Sequence, residues 1–567
     1  MSTASLDTLP SELLYRILSQ LDVVTIFGSL YHACTRLRAI PNAYDRYKLN
    51  FTYISKREFT FVSKRIRPEN IISLKLHDGD RTPGQIELFL SIFHIDQFIQ
   101  LRSLTVRYMD RYCLNTILTQ ASSCPLESVE IKTRDHNIVD STLSLLETIL
   151  AKTSLIKLDI SMLYVIVESI PWPNQCSIQH LRIGSCTLEK YKAILRHSPH
   201  LRTFNLKDCS MKNIDGTVFT PDVATSYDQL TSLTFRKMCR SMEELQSILV
   251  LTPSLTHLKL INDPAAAASY NLFDGARWEW FIEQKLSHLK IFEFFFSNTQ
   301  VRESAVIDVD SLVSRFQTPF WLDCKQWFIA CNFIPKASRI NLYSLPVCET
   351  LLNYNLYVNA VSRVTSLSAV RHENLMKNVR TLRMNLTRAT IDASVQQNEP
   401  EVHRRLFQQT TELRLIAGKE WSLDFHKFLS VLIDLSRIVR IMLGIDFDRL
   451  SDVDTVNDIR ALFEQTCNLR SLEFPPPSVI YSYEEALTNL CSIVPNRVKH
   501  LQVPVRRFDD MKIVIEKLDT LSSVSFHVNG RDFALCQNLF DWLTNSGRDF
   551  SQRQYNSYIQ LWLGKKM

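Results

Sequence analysis

Residues 201–206 read LRTFNL, residues 230–235 LTSLTF and residues 255–260 LTHLKL. Each places apolar side chains first, fourth and sixth, and the alternation from the fourth position onward is that of a strand with one buried face. The same pattern occurs upstream as IISLKL at 71, LRSLTV at 101, LESVEI at 126, LIKLDI at 155 and IQHLRI at 178. Downstream it returns as LKIFEF at 289, VRTLRM at 379, IVRIML at 438, LRSLEF at 469, VKHLQV at 498 and LSSVSF at 521, with weaker copies ASRINL at 337 and TTELRL at 410. Most copies lie 23 to 34 residues apart. The intervals contain apolar residues at helical spacing, as in STLSLLETILAKT from 141, EKYKAILRHS from 189 and SMEELQSILVLT from 241. Each unit is therefore expected to be a strand followed by a helix. Spacing widens to 48 residues after 289 and 42 after 337, near Trp278, Trp280, Trp321 and Trp327. A helical insertion about 262–336 with inward-facing aromatics is expected there, an aromatic recognition patch being the alternative.

A strand-plus-helix period slightly longer than about 20 to 29 residues resembles that of leucine-rich repeat proteins. Cys186 and Cys209 each fall three residues after the strand core, at the Asn/Cys position of that repeat. The resemblance covers residues 71–545 and implies an α/β fold: an irregular leucine-rich repeat solenoid with parallel strands inside and helices outside. Residues 546–567, which include Leu561, Trp562 and Leu563, are expected to cap its end.

The stretch from Leu6 to Phe51, LDTLPSELLYRILSQLDVVTIFGSLYHACTRLRAIPNAYDRYKLNF, parses into three short helices. Thr8, Pro10 and Glu12 mark a helix start. Leu13, Leu14, Ile17, Leu18 and Leu21 follow at helical spacing, Asp22 is a second cap, and Pro41 is a stop. So many apolar side chains in about 45 residues cannot all be hidden internally, and a partner is expected. The stretch resembles the F-box in Leu9, Pro10, Glu12, Leu13, Leu14, Ile17, Leu18, Leu21, Cys34, Arg36, Leu37 and Arg38, although the acidic residue usual near Val24 to Ile26 and the closing tryptophan are missing. The resemblance implies a three-helix F-box over 1–50 that binds the Skp1 adaptor, and through it a cullin, by way of Leu9, Pro10, Leu13, Ile17, Leu18 and Leu21. Residues 51–70, with Lys56, Arg57, Lys64, Arg65 and Arg67, are expected to form a basic linker with a solvated charged face rather than a nucleic-acid site.

Composition narrows the remaining classes. The chain has 567 residues, 45% hydrophobic and 22% charged, with a net charge of +6, which suits a large soluble core and argues against a strongly basic nucleic-acid binder. No secretory signal or run of about 18 apolar residues is found, so a cytoplasmic or nuclear location without membrane contact is expected. Thirteen cysteines without C-x-x-C spacing suit reduced, buried thiols, Cys324 and Cys331 included. Only 11 glycines occur, none in a phosphate-cradling loop, and no zinc or serine-nucleophile motif is present. No cofactor, metal or catalytic residue is expected.

The resulting expectation is a non-catalytic substrate receptor of a Skp1–cullin–F-box ubiquitin ligase, the alternative being an interaction scaffold that promotes no ubiquitination. With positions one, four and six in the core, positions three, five and seven of the sixteen copies carry twelve basic and five acidic residues. This local excess is expected to attract an acidic or phosphorylated client segment. Arg182, Lys207, Arg236 and Lys259, from four consecutive copies, are expected to form one ridge that binds it.

Overall fold

A computed structural model describes residues 9–30, 44–134, 140–161, 168–211, 226–238, 241–262, 270–299, 308–334, 338–354, 361–366, 375–386, 406–418, 425–476, 484–528, 533–555 and 557–566. Thr8, Cys34, Arg36, Leu37, Arg38 and Pro41, on which part of the three-helix expectation rests, lie outside the described residues. The chain is mixed α/β, with large, mostly parallel sheets connected through helices. No helix among the described residues is long and apolar enough to cross a membrane. Two compact units are present, one within 1–219, 543–553 and 560–567, the other within 220–542 and 554–559.

In the first unit the strands Tyr47–Asn50, Ile71–His77, Ser103–Met109, Ser128–Thr133, Lys157–Asp159, His180–Arg182 and Thr203–Leu206 pair in parallel in chain order. Their register aligns Leu49, Leu74, Leu104, Val129, Leu158, Leu181 and Phe204 into one column. Every member of the column is buried. Helices are set by local caps. Asp110 accepts from the Cys113 N–H at the start of Arg111–Ala121, and Thr187 accepts from the Lys190 N–H at the start of Leu188–His197.

Three boundaries differ from expectation. The first strand of the sheet is Tyr47–Asn50, inside the segment assigned to the F-box, because Tyr47 and Leu49 are buried while Lys48 and Asn50 are exposed, as in a half-buried strand. The supposed basic linker contains the helix Lys56–Ser63, closed by a Ser55/Glu58 capping box, with Phe59 and Val62 buried. Lys56 is itself buried and pairs with Asp549 at 2.6 Å. At the N-terminus the helix is Ser11–Leu18, with Pro10 in the capping position and Leu21 beyond its end. Asp22 caps a second turn by accepting from the Thr25 N–H at 2.8 Å.

Residues 560–566 also belong to this unit. Trp562 is fully buried, its indole N–H donates to the Ile54 carbonyl at 3.1 Å and its ring meets Phe59 edge-to-face at 5.5 Å.

The second unit has two parallel runs. Ser232–Met238, His257–Asn262 and Ile291–Asn298 form one. Leu351–Tyr354, Thr381–Asn385, Glu412–Gly418, Arg440–Ile445, Ser471–Glu473, His500–Val505 and Ser523–Val528 form the other, with Leu352, Leu382, Leu413, Ile441, Leu472, Leu501 and Val524 in one column. After the first run the sheet turns antiparallel. Ile291–Asn298 pairs with Arg339–Leu345, which pairs with Phe328–Ile334, which pairs with Val361–Val364. The copy at 337 is thus an antiparallel strand and not a repeat, because four residues cannot hold the crossover that a parallel partner needs. The insertion mixes helix and strand: the helix Gly275–Lys285 carries the inward-facing Trp278 as expected, and the strands Ile291–Asn298 and Phe328–Ile334, with short helical segments at Val309–Ser314 and Phe320–Cys324, make up the rest. Trp278, Trp321 and Trp327 are buried around Phe292, while Trp280 is 59% exposed.

Two truncations test this core by urea denaturation. Leu158→Ala, in the apolar column, should cost about 2–5 kcal/mol and Trp562→Ala about 3–5 kcal/mol. Arg102→Ala, whose pairing with Glu127 is exposed, should stay within about 0.5 kcal/mol.

Candidate functional site

At the N-terminal helix, residues sort by face. Leu14 and Leu18 are buried, and Leu18, Leu21, Val23 and Ile26 line a small crevice with Tyr44 and Tyr47. The buried position of Leu18 sets it apart from the other residues assigned to the adaptor contact. Leu13 is 42% exposed, Pro10 is exposed, and Leu9, Ile17 and Leu21 are half-buried. Leu13 and Ile17, four apart, share one helix face, and Leu9 and Pro10 immediately precede that helix. An apolar strip therefore remains outside the core on a helix anchored by the adjoining face that carries Leu14 and Leu18.

The charged face of the sheets is laddered. All five acidic residues at the outward positions have basic partners. Glu130 pairs with Arg107 at 2.7 Å and Lys132 at 2.8 Å, and Asp159 with Arg182 at 3.4 Å. In the second unit Glu293 pairs with His257 at 3.1 Å and Lys259 at 3.8 Å, and Arg440 joins Glu412 at 4.0 Å and Glu473 at 2.7 Å. Burial alone would raise the Glu130 carboxyl, but the Lys132 and Arg107 hydrogen bonds and charges hold it below the usual range. Glu293 is held low mainly by the His257 hydrogen bond, against burial. On Glu349 the same burial prevails and raises the carboxyl despite Lys259 and Arg236.

The four residues expected as a ridge do not share one row. Arg182 lies in register with Asn205, two positions before Lys207, and Lys259 lies in register with Thr234, two before Arg236. Arg182 and Lys207 belong to the first unit, Arg236 and Lys259 to the second. Arg236 is exposed and the other three are half-buried, with Lys259 also donating to the Cys348 carbonyl at 2.5 Å.

Sequence reasoning missed one arrangement. In the first unit Tyr53 and Tyr108 both have φ 62°, a left-handed conformation costing roughly 1–2 kcal/mol for a residue with a Cβ. Both rings meet the His77 imidazole edge-to-face, at 5.0 and 5.1 Å. Only alternation past the strand ends hinted at it; nothing in residue type signals a left-handed tyrosine. A second histidine, His426, is buried 2.5 Å from Asp458, where the two pack a helix pair together.

No protein-family model matches the chain, and no curated protein matches it.

The paired face makes a pH-dependent contribution. Because the folded Glu130 carboxyl is depressed, its stabilisation is present above the ordinary carboxylate pKa and is lost as pH falls through the depressed value. The stability gap between the wild type and Glu130→Gln, from urea titrations at a series of pH values, should be largest near neutrality and close on acidification. A gap that widens in acid would contradict the pairing.

Proposed function

We propose that the chain is the substrate-recognition subunit of a Skp1–cullin–F-box ubiquitin ligase, with an N-terminal F-box and an irregular leucine-rich repeat solenoid. One observation carries this reading: Leu13 and Ile17, with Leu9 and Pro10 just before their helix, are exposed or half-buried, while Leu14 and Leu18 of the same helix are buried. A short, anchored helix with an uncovered apolar strip is a docking element. The motif order in the sequence makes the adaptor its partner. The parallel strands and their basic excess support a client surface that selects an acidic or phosphorylated segment. In this role the chain makes no covalent bond. It raises the effective concentration of a client lysine beside a ubiquitin-charged enzyme.

Docking is tested by co-purification with Skp1. Fully burying a leucine is worth about 1.5–3 kcal/mol, so the triple variant Leu9→Ala, Pro10→Ala, Leu13→Ala should bind at least about tenfold more weakly with an unchanged melting temperature. Normal adaptor binding by that variant would sink the assignment.

The client surface is tested by neutralising Arg182, Lys207, Arg236 and Lys259 to glutamine, which sets no new carboxylate beside Asp159 or Glu293. Capture of a ubiquitinated client should fall sharply while Skp1 binding persists. Client binding that is unchanged, or indifferent to added salt, would refute the basic-face reading.

A further inference from the structure

Glu87 lies in the first turn of the helix Gln85–Ile92, and Asp110 caps the next helix, Arg111–Ala121, of which Cys113 is the third residue. The two helices follow the neighbouring parallel strands Ile71–His77 and Ser103–Met109, so both start at one edge of the first unit's sheet. There one carboxylate oxygen of Glu87, one of Asp110 and the Cys113 Sγ all lie within 4.8 Å of one another. Glu87 and Asp110 stand 23 residues apart on separate helices, so no ligand spacing in the sequence reveals the group.

The thiol is directed differently from its buried counterparts. Cys124 and Cys176 donate to backbone carbonyls, of Ile95 at 3.5 Å and Leu150 at 3.8 Å. Cys113, 3% exposed, makes no such bond among the described residues and turns its thiol to Asp110. Burial first, then the Asp110 charge and hydrogen bond, then the Glu87 and Asp78 charges push this thiol up to about 12.

Neither carboxylate is saturated. Glu87 is exposed, and its carboxylate makes no ion pair or hydrogen bond among the described residues. One oxygen of the half-buried Asp110 accepts from the Cys113 N–H at 2.8 Å, which leaves the other for a further partner. Asp78 is already held by Arg553 and by the Gln85 N–H at 3.1 Å. Of the cations nearby, Arg134 feels the Asp110 charge, together with those of Arg553, Asp78 and Asp80.

Two carboxylates and a buried thiol within one ion's reach repel one another once ionised, and a cation between them removes the repulsion. The thiol selects its kind. Magnesium and calcium take oxygen ligands, whereas zinc takes thiolate and carboxylate together. Zinc lies at about 2.3 Å from sulfur and about 2.0–2.2 Å from oxygen, so tetrahedral ligands stand roughly 3.4–3.6 Å apart. Rotation of the exposed Glu87 side chain supplies the closure of about 1 Å that this requires. Two carboxylates, a thiolate and a divalent ion carry one net negative charge, which the Arg134 guanidinium near Asp110 offsets.

We propose that Glu87, Asp110 and Cys113 bind a zinc ion, with the fourth coordination position left to water. The assignment goes beyond the adaptor reading and does not depend on it.

The test titrates the chelator-treated full-length chain with Zn2+ by calorimetry and with Co2+ by absorption. One Zn2+ should bind saturably without competition from Mg2+, and Co2+ should give a thiolate-to-cobalt charge-transfer band that Zn2+ removes. Cys113→Ser should abolish the band and weaken Zn2+ by more than about tenfold, a loss seen even for partners one shell beyond the ligands. Glu87→Gln, at an exposed position, should weaken Zn2+ to a similar degree while the melting temperature of the metal-free chain and the band at saturating Co2+ persist. Cys324→Ser with Cys467→Ser, which removes the exposed thiols among the described residues, should change neither affinity nor band. Absence of saturable Zn2+ binding, equal competition by Mg2+, a band that survives Cys113→Ser or disappears with Cys324 and Cys467, or unchanged affinity in Glu87→Gln would overturn the site.

Discussion

Everything else in each sheet depends on the in-register column at the fourth position of the repeated pattern. In the first unit Leu74, Leu104, Val129, Leu158, Leu181 and Phe204 stand side by side because parallel pairing preserves register from strand to strand. Shifting one strand by a single residue would turn its apolar set to the charged face and its charges into the core. The column therefore fixes the register, and the register fixes which polar side chains meet. Three-residue strands such as Lys157–Asp159 and His180–Arg182 have little backbone pairing of their own and persist because both neighbours hold the same column.

That dependence explains what was legible in the sequence. Among the described residues, the first, fourth and sixth positions of the copies are buried, including Ile178, Leu181 and Ile183 in IQHLRI and Val498, Leu501 and Val503 in VKHLQV. Burial periodicity is a local property of a strand, so it can be read directly. Strand direction is not local. ASRINL has the same alternation as its parallel counterparts, and only the four-residue gap after Ile334 distinguished a hairpin from a crossover. In the stretch 51–70 the run of charges reads as a linker, yet the S-x-x-E capping box at Ser55 and Glu58 that starts its helix is legible too. Of the N-terminal candidates, the i, i+4 relation of Leu13 and Ile17 could be read, but the burial of Leu18 against Tyr44 and Tyr47 required knowing that a strand follows.

Charge behaves differently from burial. Counting outward positions revealed a basic excess, yet the count could not show that Glu473, 1% exposed, and Asp159, 6% exposed, are nearly core residues. A buried carboxylate needs partners, and the strands on either side supply them from their own outward positions. Arg440 reaches Glu473 on one neighbour and Glu412 on the other. The acids therefore act as rivets between strands, and the excess of basic over acidic residues at the outward positions gives the face its sign. Removing Glu130 would take the shared acid from the half-buried Arg107 and Lys132 at once, a larger loss than an exposed pair would show.

The same separation of roles applies along each strand. Its middle is bound by the apolar column and its flanking charges, so neither can vary without disturbing a neighbour. Its carboxyl end is freer, because the pairing stops there: Tyr53 lies beyond the last paired residue of its strand, and Tyr108 occupies the slip between Arg107 and Met109. A strained conformation is affordable at such a position only when the surroundings over-determine it. Here a buried His77 ring against both tyrosines and the Arg553–Asp78 pair supply that support, with the Gln85 N–H donating to the other Asp78 oxygen at 3.1 Å. The rigid column thus leaves, at its open edge, room for two left-handed tyrosines that no position within the paired column could hold.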